Sequence, residues 1–165
     1  TPKPLNTKET RFAMPDRERP YSQFNFRVKI GGNDGTSVAA GFQEVSGLGV
    51  EQTATEYRNG NEKENRPRKI NTMYKVPDVT LKRGVIKADN LWSWVEKVQN
   101  GQQAESLENV VIELRDESGE NVAVTWALTN ARPLKYTGPT LNGNGTDIAV
   151  EELVLACEDI DMEFE

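Results

Sequence analysis

Bulky apolar residues recur at every second position in three separate stretches of this chain. That period of two restricts the fold more than any other feature. Phe24, Phe26, Val28 and Ile30 alternate with Gln23, Asn25, Arg27 and Lys29. Val110, Ile112 and Leu114 mark a second such face, and Val122, Val124, Trp126 and Leu128 alternate with the small Ala123, Thr125 and Ala127. Successive side chains of a strand point to opposite faces, so each stretch predicts a strand with one face buried. Gly31-Gly32-Asn33-Asp34-Gly35 predicts a hairpin loop after the first, and Asp116-Glu117-Ser118-Gly119 a turn between the other two. No helix signal follows the first loop, so it is not a phosphate cradle. Val38, Ala40 and Phe42 predict the returning strand, and Val45–Val50 bends the chain into an extended run through Tyr57. Arg132–Tyr136 continues extended with a kink at Pro133. Ile148–Cys157 is apolar on both parities, which predicts a strand buried on both faces or shifted in phase by a bulge near Glu151-Glu152.

One segment breaks the period. After a short β-type run at Val79 and Leu81, Lys82-Arg83-Gly84 predicts a turn, and a helix signal follows. Asp89 or Asn90 can cap its start, Leu91, Val95 and Val98 recur at helical spacing, and Asn100-Gly101 ends it. Trp92 and Trp94 flank its apolar face, so this helix is expected to plug a face offered by the strands. The fold class is therefore mainly β: an antiparallel barrel or sandwich with one packed α-helix. Unpaired strand edges invite pairing with another chain, and a ring of copies is one way to satisfy them.

Three segments lack a core pattern. Residues 1–20 hold four prolines, many charges, and only Leu5, Phe12 and Met14 as larger apolar groups, which predicts an N-terminal arm. Residues 58–75 are polar and follow neither period, which predicts an extended loop inside a domain spanning 21–157. Residues 158–165 predict an acidic C-terminal tail. Charge is uneven: Arg58, Lys63, Arg66, Arg68 and Lys69 crowd one stretch, while Asp147–Glu165 carries eight acidic residues and no basic one. Such patches can pair within a chain, join copies, or remain two solvated faces.

Composition narrows the function. The chain has 165 residues, fits one domain, and can bury roughly 70% of its unfolded surface. It has no histidine, which removes Ser-His-Asp and Cys-His catalysis and the commonest metal ligand. The net charge of −6 argues against general affinity for nucleic acid. A lone Cys157 cannot form an intramolecular disulfide, and no apolar run approaches the length of a membrane span. The expectation is a protein free of membrane anchor and signal peptide, with no cofactor, metal or enzymatic activity. Glu151-Glu152 and Asp159/Asp161 are the carboxylate pairs an enzyme would use; the first pair faces opposite sides of a strand and the second falls in the expected tail. No liganding loop suits calcium in that tail. The Asn144-Gly145-Thr146 sequon signifies little without secretion.

Six segments stand in an order shared with a known family: Pro-Tyr-Ser-Gln-Phe-Asn-Phe-Arg-Val at 20–28, Ala-Gly-Phe-Gln-Glu-Val-Ser-Gly-Leu at 40–48, Glu-Tyr-Arg-Asn-Gly at 56–60, Leu-Lys-Arg-Gly-Val at 81–85, Leu-Trp-Ser-Trp at 91–94 and Asn-Ala-Arg-Pro-Leu-Lys-Tyr-Thr-Gly-Pro at 130–139. The chain resembles the inner-tube proteins of contractile phage tails and extracellular contractile injection systems, which share their fold with the secreted ring protein of type VI secretion. The resemblance implies a tail-tube-like fold and six-fold rings whose sheets join into a continuous barrel around a lumen. It further implies stacking into a tube that a contracting sheath drives through a target envelope. Implied partners are other copies of the chain, the sheath, baseplate or initiator and terminator proteins, and protein cargo in the lumen, with nucleic acid only in a phage. Assembly is expected in the cytoplasm. The family's inter-ring loop corresponds to 58–75, which makes Glu56, Tyr57, Arg58 and Lys69 candidates for inter-ring contact, and the basic charge of 58–69, a complementary face for stacking, adds Arg66 and Arg68. The arm before Pro20 is longer than the family requires, and the 58–75 loop is richer in Asn, Lys and Glu. The alternative from patterning alone is a monomeric β-rich ligand-binding module.

Overall fold

A computed structural model of the chain describes residues 19–31, 41–86 and 90–165. In chain order its elements are strands β1 (Phe26–Ile30), β2 (Glu44–Ser46), β3 (Glu51–Tyr57), β4 (Arg68–Lys75) and β5 (Val79–Gly84), helix α1 (Asn90–Gln99), and strands β6 (Glu108–Arg115), β7 (Val122–Thr137), β8 (Val150–Ala156) and β9 (Asp159–Phe164). Every strand pairing is antiparallel. The fold is the mainly β architecture with one helix that the alternation predicts.

The period of two becomes rows of apolar side chains on one face, buried in the middle strands and exposed at Met162 and Phe164. Across β1, β6, β7 and β9 the register lines up Phe26, Leu114, Val124 and Phe164, then Val28, Ile112, Trp126 and Met162, then Ile30, Val110, Leu128 and Ile160. Val79 and Leu81 of β5 and Leu153 and Leu155 of β8 belong to the same buried cluster as Val28, Val110, Ile112 and Leu128. Each fully buried aliphatic side chain of this size contributes about 1.5–3 kcal/mol.

One strand joins the two layers. The first half of β7 pairs with β6 and β9, and its second half pairs with β8. Between them Asn130 adopts a left-handed backbone with φ of 51°, and the ladder slips between Pro133 and Lys135. Proline has no N–H to give to a ladder and is tolerated at such an irregularity. The bend turns the sheet so that its two halves pack on one buried cluster. The sheet path runs β1-β6-β7-β8-β5-β2, with β9 added on β7, while β3 and β4 form a separate two-stranded sheet.

Helix α1 carries the expected stripe with one substitution in emphasis. Leu91 and Trp94 are buried, and Val95 packs partly against them, whereas Trp92 is 45% exposed. The Trp94 indole N–H donates to the Ser106 carbonyl at 2.6 Å. The Gly101 N–H donates to Val98 O at 3.1 Å and the Gln102 N–H to Lys97 O at 3.0 Å, with Gly101 at φ 78°. That pair of bonds is a Schellman cap, which satisfies carbonyls the helix end leaves open. At the β6–β7 turn, Ser118 and Asn121 donate to the Asp116 carboxylate and hold its pKa down at about 2.

Several expectations are corrected. The predicted loop 58–75 contains β4, so the non-strand part is 58–67; β4 is exposed along its whole length, and with neither face buried it has no reason to show a period. The predicted acidic tail 158–165 contains β9, because Ile160, Met162 and Phe164 extend the core rows while the acidic side chains point away. Gly84 makes no turn: β5 runs through it, and Gly84 pairs with Val150. The irregularity sought near Glu151 lies in the partner strand β7, and β8 buries only the face of Glu151, Leu153 and Leu155. Phe24 lies outside β1 and is 66% exposed. The arm up to residue 18, the strand positions Val38 and Ala40, the hairpin loop after Gly31, and Asp89 lie outside the described residues.

The turn after β2 requires glycine. Gly47 sits at φ 87°, and a Cβ there would stand 2.2 Å from the Asp78 carbonyl oxygen. Gly47→Ala is expected to cost about 2 kcal/mol or more from combined backbone strain and overlap. A urea titration of the purified variant measures this as a lowered midpoint.

Candidate assembly surfaces

A polar cluster is buried between β5, β7 and β8. Arg83 is 1% exposed and Glu151 7%. The Arg83 Nε–H donates to Glu151 Oε1 at 2.5 Å, the Tyr136 hydroxyl donates to Oε2 at 2.7 Å, and the Phe42 ring lies 5.9 Å from the guanidinium carbon. The Glu151 hydrogen bond pushes the Tyr136 phenol pKa up, and burial adds to it. Both Glu151 oxygens are thus engaged, and the cluster ties β5, β7 and β8 together. Glu152, its neighbour in the first carboxylate pair, faces the other side of β8. Cys157 is partly buried against the core, and burial raises its thiol pKa, with Asp78 and Asp159 adding to the effect. Among the described residues no three His, Cys, Asp or Glu side chains are grouped to hold a metal.

What stands out is an exposed hairpin. Among the described residues β3 and β4 pair with each other and with no other strand, and every residue of both is exposed. An isolated two-stranded hairpin is marginally stable at best in water. This one nevertheless displays Ile70 at 51%, Met73 at 79% and Tyr74 at 55% exposure. Apolar groups clustered on a projecting element mark a contact surface.

All six sequence candidates fall in this hairpin. Tyr57 pairs with Arg68 and Glu56 with Lys69, so adjacent pairs present opposite faces. Arg58 points into the tip: its guanidinium donates to the carbonyls of Glu64 at 3.1 Å and Glu62 at 3.2 Å and to the Asn65 side chain at 3.2 Å. Arg68 reaches Glu62 at 3.2 Å and Arg66 reaches Glu64 at 2.6 Å. Tyr57 donates to Asn59 at 2.6 Å. Arg58 therefore shapes the tip, while Tyr57, Lys69 and the outer sides of Arg66 and Arg68 remain exposed. Sequence reasoning missed Ile70, Met73 and Tyr74; their signal was the presence of large apolar residues in a stretch otherwise fit only for solvent.

The sheet adds unpaired edges. Among the described residues β1 pairs only with β6, β2 only with β5, and β9 only with β7. Between β1 and β2 an open groove of about 820 Å³ is lined by Phe24, Phe26, Phe42, Val45 and Leu48 among others. On the other layer, Trp92 stands edge-on to Tyr136 at 5.4 Å beside a smaller groove between α1 and β7.

Comparison with known proteins bears on these surfaces. A family model described as T4-like virus tail tube protein gp19 matches residues 22–161. A chain in the cryo-EM structure of an extracellular contractile injection system, the PVC sheath-tube complex in the extended state, is 28% identical with a TM-score of 0.77, covering 90% of this chain and 94% of that one. A chain in the cryo-EM structure of the anti-feeding prophage cap (AFP tube terminating cap) is 25% identical with a TM-score of 0.78 over the same shares of the two chains. Hcp1 from Flavobacterium johnsoniae shares the fold at 14% identity and a TM-score of 0.52, over 86% of this chain and 97% of its own. No curated protein sequence matches the chain.

Proposed function

Because this chain belongs to the T4-like virus tail tube protein gp19 family, a family of structural proteins rather than enzymes, we propose that it is the wall subunit of a tube built from stacked six-membered rings. Its place in a phage tail or contractile injection particle follows from the family and from its likeness to the tube structures. The observation that carries the finer assignment is the β3–β4 hairpin, wholly exposed and, among the described residues, paired with no other strand. A heterologous contact uses two different patches and closes into a ring when its rotation allows. Unpaired sheet edges supply the lateral contact, and the hairpin supplies the axial one. The ring encloses a lumen for protein cargo, a sheath surrounds the stack, and initiator and terminator proteins hold its ends. Assembly in the cytoplasm precedes contraction of the sheath, which drives the tube through an envelope.

Within the hairpin, Glu56, Tyr57, Arg66, Arg68 and Lys69 are assigned to contact with the next ring, and Arg58 to holding the tip in shape. Reversing Arg66, Arg68 and Lys69 together to glutamate is expected to shorten tubes severely, with the melting temperature unchanged, because surface substitutions away from a core cost little. Length distributions from negative-stain images provide the test. Tubes of unchanged length and yield would remove the basic tip from the contact. A ligand-binding module would instead require the protein to stay monomeric at every concentration.

A further inference from the structure

The described residues include four Asn-Gly steps, at Asn59, Asn100, Asn142 and Asn144, and both residues of each step are exposed. At such a step an asparagine side chain is open to attack by its own main chain, because glycine places no Cβ beside the following nitrogen. Sequence and exposure rank the four equally. Hydrogen bonds separate them. The Gly101 N–H is engaged with Val98 O at 3.1 Å in the helix cap, and the Gly145 N–H with Asn142 O at 3.0 Å. Asn59 is held at both polar atoms: Oδ1 accepts from the Tyr57 hydroxyl at 2.6 Å, and Nδ2 donates to Glu62 Oε1 at 3.3 Å. Asn142 differs from all three. Among the described residues neither the Gly143 N–H nor Asn142 Nδ2 has a hydrogen-bond partner, and a Cβ on Gly143 would meet nothing within 4 Å. Its Oδ1 accepts from the Asn144 N–H at 3.1 Å.

We propose that Asn142 is a self-modification site, at which the Gly143 nitrogen displaces the side-chain amide and the residue becomes an acid. The Gly143 nitrogen loses its proton and bonds to Cγ of Asn142. The Cγ–Nδ2 bond breaks, and ammonia leaves with that proton, so a cyclic imide remains. Water then adds to one of the two imide carbonyls and reopens the ring, which yields aspartate or an isoaspartyl linkage through Cγ. No oxidant or reductant takes part. As Cγ becomes tetrahedral its oxygen gains negative charge, and the Asn144 N–H already stands there to meet it. Each rival step must first give up at least one hydrogen bond that Asn142 does not have to break. Either product doubles the negative charge of the loop 138–149, whose one acidic residue is Asp147. The isoaspartyl form also lengthens the main chain by one atom, which opens the turn that Asn142 O closes with the Gly145 N–H.

The test ages the purified wild-type chain at mildly alkaline pH, once folded and once in guanidinium chloride, and maps it by tryptic digestion and mass spectrometry. Trypsin cuts after Arg58, Lys97 and Lys135, which separates Asn59 and Asn100 from the loop, and fragment ions distinguish Asn142 from Asn144. In the folded chain Asn142 is expected to convert at least about fivefold faster than each of the other three, the factor that one ordinary hydrogen bond sets. In guanidinium chloride the four rates are expected to draw together. Gly143→Ala places its methyl group in open space, so it should keep the wild-type circular dichroism and slow conversion at Asn142 alone. A different leading asparagine in the folded chain, no conversion there at all, or the same lead in guanidinium chloride would overturn the assignment. So would a folded Gly143→Ala chain that converts at the wild-type rate.

Discussion

Replacing Ile70 and Met73 together by aspartate is expected to leave a folded chain that closes into rings but builds no tubes. Both residues lie in β4, and neither touches the buried cluster that holds the barrel together. Their loss should therefore shift the melting temperature by no more than a surface substitution does. Their apolar area is exposed in the single chain, 51% for Ile70 and 79% for Met73, and is available for burial against the next ring. Covering such side chains contributes up to about 1.5–3 kcal/mol each, whereas an unpaired carboxylate at the same place would have to be desolvated. Each ring repeats the contact once per subunit, so a modest loss per copy multiplies across the interface. Images should show single rings where the wild type shows tubes. Long tubes from the variant would mean that the hairpin is not the stacking element, and an unfolded variant would mean that it supports the chain's own core.

The second large effect concerns stability. Arg83→Met is expected to destabilise the chain by about 3–5 kcal/mol, the usual consequence of leaving one member of a buried ion pair without its partner. Among the described residues Glu151 would keep only the Tyr136 hydroxyl, in a site that is 7% exposed. Adding Glu151→Leu to Arg83→Met should recover much of the loss, because an apolar pair of similar volume needs no compensation for desolvated charge. Urea titrations of the two singles and the double close a cycle that isolates the pairwise interaction. A single substitution costing under 1 kcal/mol would show that water or another group reaches Glu151.

The strands easiest to read in the sequence were those with one buried and one solvated face. Val28, Ile112 and Leu128 lie at alternating positions because each strand rests on a single core, and Gly101 marked the helix end because its cap needs a left-handed residue. β4 was illegible for the complementary reason: with both faces exposed in the single chain, nothing forces Ile70 or Met73 into a pattern. In β9 the alternation of Ile160, Met162 and Phe164 was present, but the intervening carboxylates masked it as a solvated tail. The Arg83–Glu151 pair has no local signature, since its members lie 68 residues apart and meet only when β5 pairs with β8. Four candidates at the hairpin came from resemblance and Arg66 and Arg68 from local charge, and the tip geometry then divides them, turning Arg58 inward and leaving Lys69 outward.

Cryo-electron microscopy of the concentrated wild-type chain tests the central claim most directly. The account predicts six-fold rings stacked into tubes, with β3–β4 of each subunit lying against the adjacent ring. A protein that remains monomeric over the whole concentration range, or that stacks with the hairpin free in solvent, would contradict it.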